Sequence, residues 1–368
     1  MYTSSMQEDL LRYLREFVAF RTVAGHETAK QECLDWMIGS FLQKTPHPLH
    51  RGDINGAPYM VIQHPQPKLI WFAHFDVVPA DETLFAIRTD GDKAFGRGVK
   101  DMKGAALPFL MAYRDLCAEG IDIPVTVLLT SDEEVGGRSI PALLDQKLLH
   151  GPIAFTPDTG ANPAIVVEHK GAVWARLTAH GKGSHGAWPW EGTNPIFLLT
   201  EGLNRIQKAF PVGGGDEWHM TVSPTELLGS DAKNKIPDTV SCMLDIRFPP
   251  TTFPTHADAL AAIEKILPDG CTLEAKVTAD PLNTDPNHPM VQLYKKVAED
   301  VLGKTIETGR EHGASDARFF EDHGIPAFLF GPEGGNLHHR DEWVSIPSML
   351  QQYEISKRLM QELKSGSR

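Results

Sequence analysis

The sequence predicts an α/β protein in which a mostly parallel sheet lies between helices and is interrupted by a smaller α+β module. Three observations predict it. Residues 69–73 (LIWFA) and 124–130 (PVTVLLT) are short, continuously apolar runs, as expected of strands covered on both faces. Residues 102–117 between them have helical spacing, which gives the strand–helix–strand order of an α/β layer fold. From about Lys170 the pattern changes: Val173-Trp174-Ala175-Arg176-Leu177-Thr178-Ala179 alternates apolar and polar, as a half-exposed strand does.

The elements follow in order. Ser5 and Glu8 have the spacing of a capping box. Leu10, Leu11, Leu14, Phe17 and Val18 then share one helical face. Cys33, Trp36, Met37 and Phe41 form a second helical pattern. Inside the module, residues 220–226 and 240–248 read as strands and residues 195–210 and 255–267 as helices. Past residues 281–289, rich in Pro, Asn and Asp, the α/β character returns. There residues 290–302 read as a helix, 327–330 as a buried strand and 346–363 as a terminal helix. The reading is one α/β domain, residues 1–170 and 285–368, interrupted by a module at 171–284. No internal repeat of fixed period is present.

Composition narrows the function classes. The chain has 368 residues with 41% apolar and 23% charged, an ordinary globular balance that excludes disorder as the main state. Its 35 Lys+Arg against 48 Asp+Glu give a net charge of −13. Nucleic-acid and anionic-membrane partners, which need a basic footprint, are therefore not expected. No run approaches the roughly 18 apolar residues of a membrane-spanning helix, and residues 1–14 hold no signal-peptide core. Cys33, Cys117, Cys242 and Cys271 are far apart with no CxxC pair. This predicts four reduced thiols and a cytoplasmic location.

Chemistry-bearing residues cluster where the predicted strands end. His74-Phe75-Asp76 places an imidazole and a carboxylate on one side of a strand, which suits a metal-binding His steadied by an acid on its other nitrogen. His256-Ala257-Asp258 has the same spacing within a polar helix, where it reads as surface. Gly96 to Gly104 (GRGVKDMKG) frames Asp101 with glycines at a helix start; it lacks both the dinucleotide spacing and the GK[ST] ending of phosphate loops. Ser131 to Gly137 (SDEEVGG) ends a buried strand in three acids, which calls for a cationic neutraliser or for a solvated loop. Asp158 ends another apolar segment. His338-His339-Arg340-Asp341-Glu342 precedes the last helix. Carboxyl ends of parallel strands are where α/β folds build ligand sites. A carboxylate shared by two cations and flanked by His and acid donors describes a two-metal hydrolase, with Zn²⁺, Mn²⁺ or Co²⁺ suited to those donors.

Taken in order, HFDVVP, GRGVKDMKG, TSDEEVGG, the Gly-Ser-His segment and HHRDE resemble a known family over nearly the whole chain. It is the co-catalytic zinc metallopeptidase family of aminoacylase, acetylornithine deacetylase, succinyl-diaminopimelate desuccinylase and glutamate carboxypeptidase. The resemblance implies a zinc-peptidase-like catalytic domain with an inserted lid and dimerisation domain, two divalent cations and a homodimer. It implies His74, Asp101, Glu134, Asp158 and His338 as metal ligands, with Asp101 bridging. Many relatives carry Glu-Pro where this chain has Pro157-Asp158. Counting back from Asp341-Glu342 selects His338 over His339. Glu133 would be the general base, and Asp76 would orient His74.

In the module, the resemblance implies that His185 reaches the active site of the partner subunit and steadies the oxyanion. Trp188 and Trp190 would line a pocket or pack in the dimer interface. Asn234 and Arg247 would hold the substrate carboxylate, a task that suits the guanidinium fork; an ion pair with Asp245 is the alternative for Arg247. Gly313 and Ser315 would line the substrate pocket, unless Ser315 caps the helix that begins near Ala317. The implied activity is hydrolysis of an amide or peptide bond in a small, carboxylate-bearing substrate by a deacylase, carboxypeptidase or dipeptidase. A non-catalytic binder of amino-acid-like ligands is the alternative. A dinucleotide-dependent oxidoreductase lacks its glycine fingerprint.

Overall fold

Leu69–His74 is buried along its whole length and lies inside the main sheet. Val125–Thr130 runs parallel beside it, with His74 opposite Thr130. On the other flank Ala154–Thr156 is parallel to it, and Ala327–Leu329 is parallel to Ala154–Thr156. Every residue of these inner strands is buried, so both faces are covered and no alternation is required. The edges are antiparallel: Ala57–Ile62 against Val125–Thr130, and Ile165–His169 against Ala327–Leu329. The chain is seen here in a computed structural model that describes residues 4–160, 163–214, 217–229 and 232–365.

Helices Ser4–Ala19, Glu27–Met37, Lys103–Ala118, Pro289–Leu302 and Ile346–Ser365 contribute to the core around this sheet. Ser5 lies inside the first helix instead of capping it. Trp71 of the central strand stacks on Phe109 of the crossover helix, centroids 4.0 Å apart at 5°. Lys103 is fully buried and donates to the carbonyls of Phe17 and Phe20, satisfying acceptors that the end of the first helix leaves open. The hairpin Leu49–Ile54/Ala57–Ile62 turns at Asn55 and Gly56, both in the left-handed region (φ 55° and 87°). That turn matches strand twist and favours Asn-Gly.

By contacts the chain divides into two units, Met1–Val167 with Asn283–Glu311 and Ser315–Arg368, and Glu168–Leu282 with His312–Ala314. The first unit's chain leaves and re-enters at neighbouring points, where the Thr284 N–H donates to the Val167 carbonyl at 2.9 Å. The second unit holds an antiparallel sheet in the order Thr221–Leu228, Thr239–Phe248, Gly171–His180, Cys271–Ala279. Val173, Ala175, Leu177 and Ala179 of the alternating strand share one buried cluster with Leu199 and Ile206 of helix Pro195–Ala209 and with Ala259 and Ile263 of helix His256–Glu264. Thr255 and Asp258 form a capping box, so His256-Ala257-Asp258 is a helix start. Among the described residues no helix is long and apolar enough to cross a membrane.

Replacing Trp71 by Ala removes a fully buried ring and is expected to lower stability by about 3–5 kcal/mol. Trp190→Ala, at a 76% exposed position, should stay within about 0.5 kcal/mol. Urea unfolding followed by circular dichroism compares the two.

Candidate metal centre and active site

The parallel strands deliver their last residues to one edge of the sheet. His74 ends Leu69–His74, Asp158 follows Ala154–Thr156, and Glu133 and Glu134 sit on a tight turn, Glu133–Val135, just after Val125–Thr130. That turn lets two adjacent acids serve one place. Gly137 closes it in the left-handed region (φ 62°), where a Cβ would lie 2.1 Å from a carboxylate oxygen of Asp316. Asp101 arrives from the loop that opens the crossover helix, and His338 from the loop before Trp343–Ser345.

Two donor groups share Asp101. One is His74, Asp101 and Asp158; the other is Asp101, Glu134 and His338. Within each, one donor atom per residue lies within 4.8 Å of the others. His74 Nε2 is 3.3 Å from Asp101 Oδ1, while His338 Nε2 is 3.1 Å from Asp101 Oδ2 and 3.2 Å from Glu134 Oε2. Asp101 thus turns one oxygen to each group. His339 has a 63% exposed side chain that faces Asp341 at 3.9 Å and belongs to neither donor group.

Asp76 organises the floor. Its backbone carbonyl accepts from His74 Nδ1 at 3.1 Å, and its carboxylate lies 3.4 Å from the same nitrogen. Its two oxygens also take the Glu133 and Glu134 N–H groups at 3.3 and 3.0 Å. With Nδ1 donating to Asp76, Nε2 of His74 is the nitrogen left to face a cation once it gives up its proton. That atom and Glu134 Oε1 are buried without a hydrogen-bond partner. Imidazole nitrogen and carboxylate oxygen directed at one place are the donors divalent zinc, cobalt or manganese accept. The residues present fit such ions.

Electrostatics agree. Burial pushes Asp101 up, but the adjacent imidazoles of His338 and His74 outweigh it and hold the carboxyl well below the usual range. Burial disfavours charge on His74, yet Asp101 and Asp76 raise it well above an ordinary imidazole. Hydrogen bonds to Asp101 and Glu134 push His338 up to about 10. Burial, then Asp101, pushes Asp158 up to about 7. Burial, then Asp316, raises Glu133 well above the carboxylate range.

A family model described as peptidase family M20/M25/M40 matches residues 70–362, which spans every donor above. The chain belongs to peptidase family M20/M25/M40. Like its M20 relatives it is a metal-dependent hydrolase acting on amide or peptide bonds. A succinyl-diaminopimelate desuccinylase of Sulfurovum sp. is 26% identical over 82% of this chain and 85% of that protein. One from Rickettsia bellii is 26% identical over 95% of each. Among solved structures, aminopeptidase PepT of Bacillus cereus superposes with a TM-score of 0.78 at 17% identity, covering 97% of this chain and 98% of that one. Human carnosine dipeptidase 1 gives 0.70 at 14%, covering 98% and 96%. At these identities the structures establish the M20 fold.

Four residues singled out in the M20 sequence belong to the second unit: His185, Asn234, Arg247 and Gly313. His185 and Asn234 come together there, lining a hollow of about 480 Å³ with Ser184 and Asp238. His185 Nδ1 accepts from the Ala187 N–H at 3.1 Å, so its proton sits on Nε2. Arg247 is held by Asp245 through both arms of its fork, at 2.7 and 3.2 Å. Ser315 is buried, and its hydroxyl accepts from Ala317 N–H at 3.2 Å, the helix-end contact.

Sequence reasoning passed over Asp316, which follows Ser315 directly, and Glu342, the last residue of HHRDE. Asp316 is buried with neither carboxylate oxygen hydrogen-bonded, and burial pushes it up to about 6. Its neighbour in sequence, Ser315, drew attention by type alone. A third donor group, His47, His64 and Asp122, lies apart. There His64 Nδ1 accepts from Gln66 N–H, so Nε2 carries the proton and suits donation to Asp122 rather than metal ligation.

His338, Asp158 and Asp316 all hold protons in the metal-free fold at pH values where an unfolded chain has released them, near 4 for the acids and 6.5 for His. The stability they contribute is therefore lost as pH rises through about 6 to about 10. Cations take the ligand candidates among them, His338 and Asp158, without the protons. Zinc-induced thermal stabilisation should thus grow between about pH 6 and pH 8, and Asp101→Asn should remove most of it. Scanning fluorimetry at fixed free zinc checks both.

Proposed function

We propose that this hydrolase uses two divalent cations, most simply zinc, to cleave an amide or peptide bond in a small substrate with a free carboxylate. The observation that carries the reading is Asp101, one carboxylate turned to two donor groups, with Glu133 in electrostatic reach of His74, Asp158 and Glu134. His74, Asp101 and Asp158 would hold one ion, and Asp101, Glu134 and His338 the other. Bound there, the pair would make hydroxide available at neutral pH and polarise the substrate carbonyl.

The protein's own part is proton handling and positioning. Glu133 takes the proton of the attacking water and returns it to the leaving amine. Its carboxyl is raised, first by burial, so it holds a proton more readily than an ordinary carboxylate. Asp76 fixes the His74 ring and the Glu133-Glu134 backbone together. His185, with its proton on Nε2, is suited to donate to the oxyanion as it develops; we assign it to the neighbouring subunit's site, with Asn234 and Arg247 receiving the substrate carboxylate. The desuccinylase and dipeptidase relatives support N-acyl amino acids and short peptides as the substrate class.

Pairing through the inserted unit is supported by its exposed apolar side chains, with Phe197 at 74% and Leu227 at 72% exposure. All four cysteines are free thiols, which supports a reducing, cytoplasmic location.

Glu133→Gln is expected to retain its cations and fold yet lose about three or more powers of ten in kcat, read in a hydrolysis screen across acyl groups and C-terminal residues. Near-normal turnover would remove Glu133 from the role, and a wild-type chain that binds metal and ligand but hydrolyses nothing in the screen would favour the binder. Phe197→Asp should shift the sedimentation profile from dimer to monomer; an unchanged dimer would place the interface elsewhere.

A further inference from the structure

We propose that Glu342, acting with Arg97, is a positioning residue that sets one of the two cation positions, Asp101–Glu134–His338, more strongly than the other. The inference rests on the two-cation reading above. Glu342 is 1% exposed, and its carboxylate meets the backbone of the ligand candidate Asp101, not its side chain.

The small sheet brings it there. Phe95 pairs with Trp343, so the segment after Lys93–Phe95 and the segment before Trp343–Ser345 run side by side, and the Gly96 N–H donates to the Glu342 carbonyl. The loop from Arg97 to Asp101 then wraps the Glu342 carboxylate. Oε2 accepts from Arg97 Nη1 at 2.6 Å and Gly98 N–H at 3.1 Å; Oε1 accepts from Lys100 N–H at 2.9 Å and Asp101 N–H at 3.2 Å. Successive N–H groups converging on one anion form a nest, and here the anion is a side chain that shapes the loop carrying the shared ligand.

Arg97 extends the same contact to His338. Its second arm, Nη2, donates to the His338 carbonyl at 3.1 Å, while His338 itself adopts a left-handed backbone (φ 62°) that most non-glycine residues avoid. Glu342 therefore holds Asp101 directly and His338 through Arg97. His74, Glu134 and Asp158 receive no such contact from it; His74 and the Glu134 backbone are held by Asp76. The position built on His338 depends on Glu342 through two of its three donors, and the position built on His74 through one.

Glutamine is the discriminating replacement. Its amide nitrogen would face either Arg97 and Gly98 N–H or the Lys100 and Asp101 N–H groups, donor against donor in both orientations. Arg97→Lys keeps the charge and loses the second arm. Cobalt titrated into the metal-free full chain, followed by visible absorption and hyperfine-shifted His signals, reads the two positions separately; His74→Ala and His338→Ala supply the assignments. In Glu342→Gln and in Arg97→Lys the His338-linked equivalent should weaken by about 10–100-fold, and the His74-linked equivalent by several-fold at most.

Equal weakening of both equivalents, with a matching fall in the melting temperature of the metal-free chain, would reduce Glu342 to general stability and overturn the proposal. Unchanged binding in both variants would overturn it as well. A wild-type chain that takes up only one cobalt ion sinks the two-cation reading itself, a result separate from either variant's behaviour.

Discussion

Carboxylates buried at the end of an apolar sheet are unstable unless positive charge or a proton meets them. Much of this site's construction answers to that constraint. Asp76, Asp101, Glu134, Asp158, Asp316 and Glu342 crowd around the carboxyl ends of four covered strands. The chain supplies some compensation itself. His74 and His338 flank Asp101, Arg97 pairs with Glu342 at 2.6 Å, and Arg318 stands 3.7 Å from Asp316. Lys100 is buried among these acids and donates to the Thr159 carbonyl. The rest is met by protons, as the raised carboxyls of Glu133, Asp158 and Asp316 record. A group of acids whose buried charge the chain only partly neutralises is also one that divalent cations stabilise, and this links the fold to metal-dependent hydrolysis.

Much of this was legible in the sequence, because the chemistry is local to strand ends. Apolar runs at 69–73 and 124–130 mark covered strands, and the polar residues that follow them must lie at the sheet's edge. The family resemblance then names His74, Asp101, Glu134, Asp158 and His338 as ligands, and the structure places them in two groups sharing Asp101. What stayed hidden depends on contacts distant in sequence. Glu342 serves residues 97–101 from more than two hundred positions away, and nothing in HHRDE says where its side chain points. Asp316 reads as part of a loop until its burial is seen. The Leu49–Ile54/Ala57–Ile62 hairpin did carry a signal, Asn55-Gly56, which the helical patterns around it obscured. Strand Cys271–Ala279 is mostly exposed, so it lacks the apolar rhythm that revealed its neighbour Gly171–His180.

Arg247 shows how a residue type can suit two tasks at once. A guanidinium fork fits a carboxylate whether that carboxylate belongs to a substrate or to the same strand. Asp245, two residues away on the same face, holds Arg247 through two contacts. An arm already aligned by a neighbour has less conformational freedom to lose when a ligand arrives, so the ion pair and a binding role are compatible in principle.

The hydrogen bond between Thr284 and Val167 has a consequence for how such a protein can change over time. The ends of the catalytic unit's interruption are tied together whether or not anything is spliced between them, so the host sheet already closes that gap. An insertion there adds little loop-closure cost, which grows only with the logarithm of length. The intervening segment is therefore free to be lengthened, trimmed or exchanged without unsettling the strands that hold the chemistry. One catalytic chassis can in this way carry different insertions.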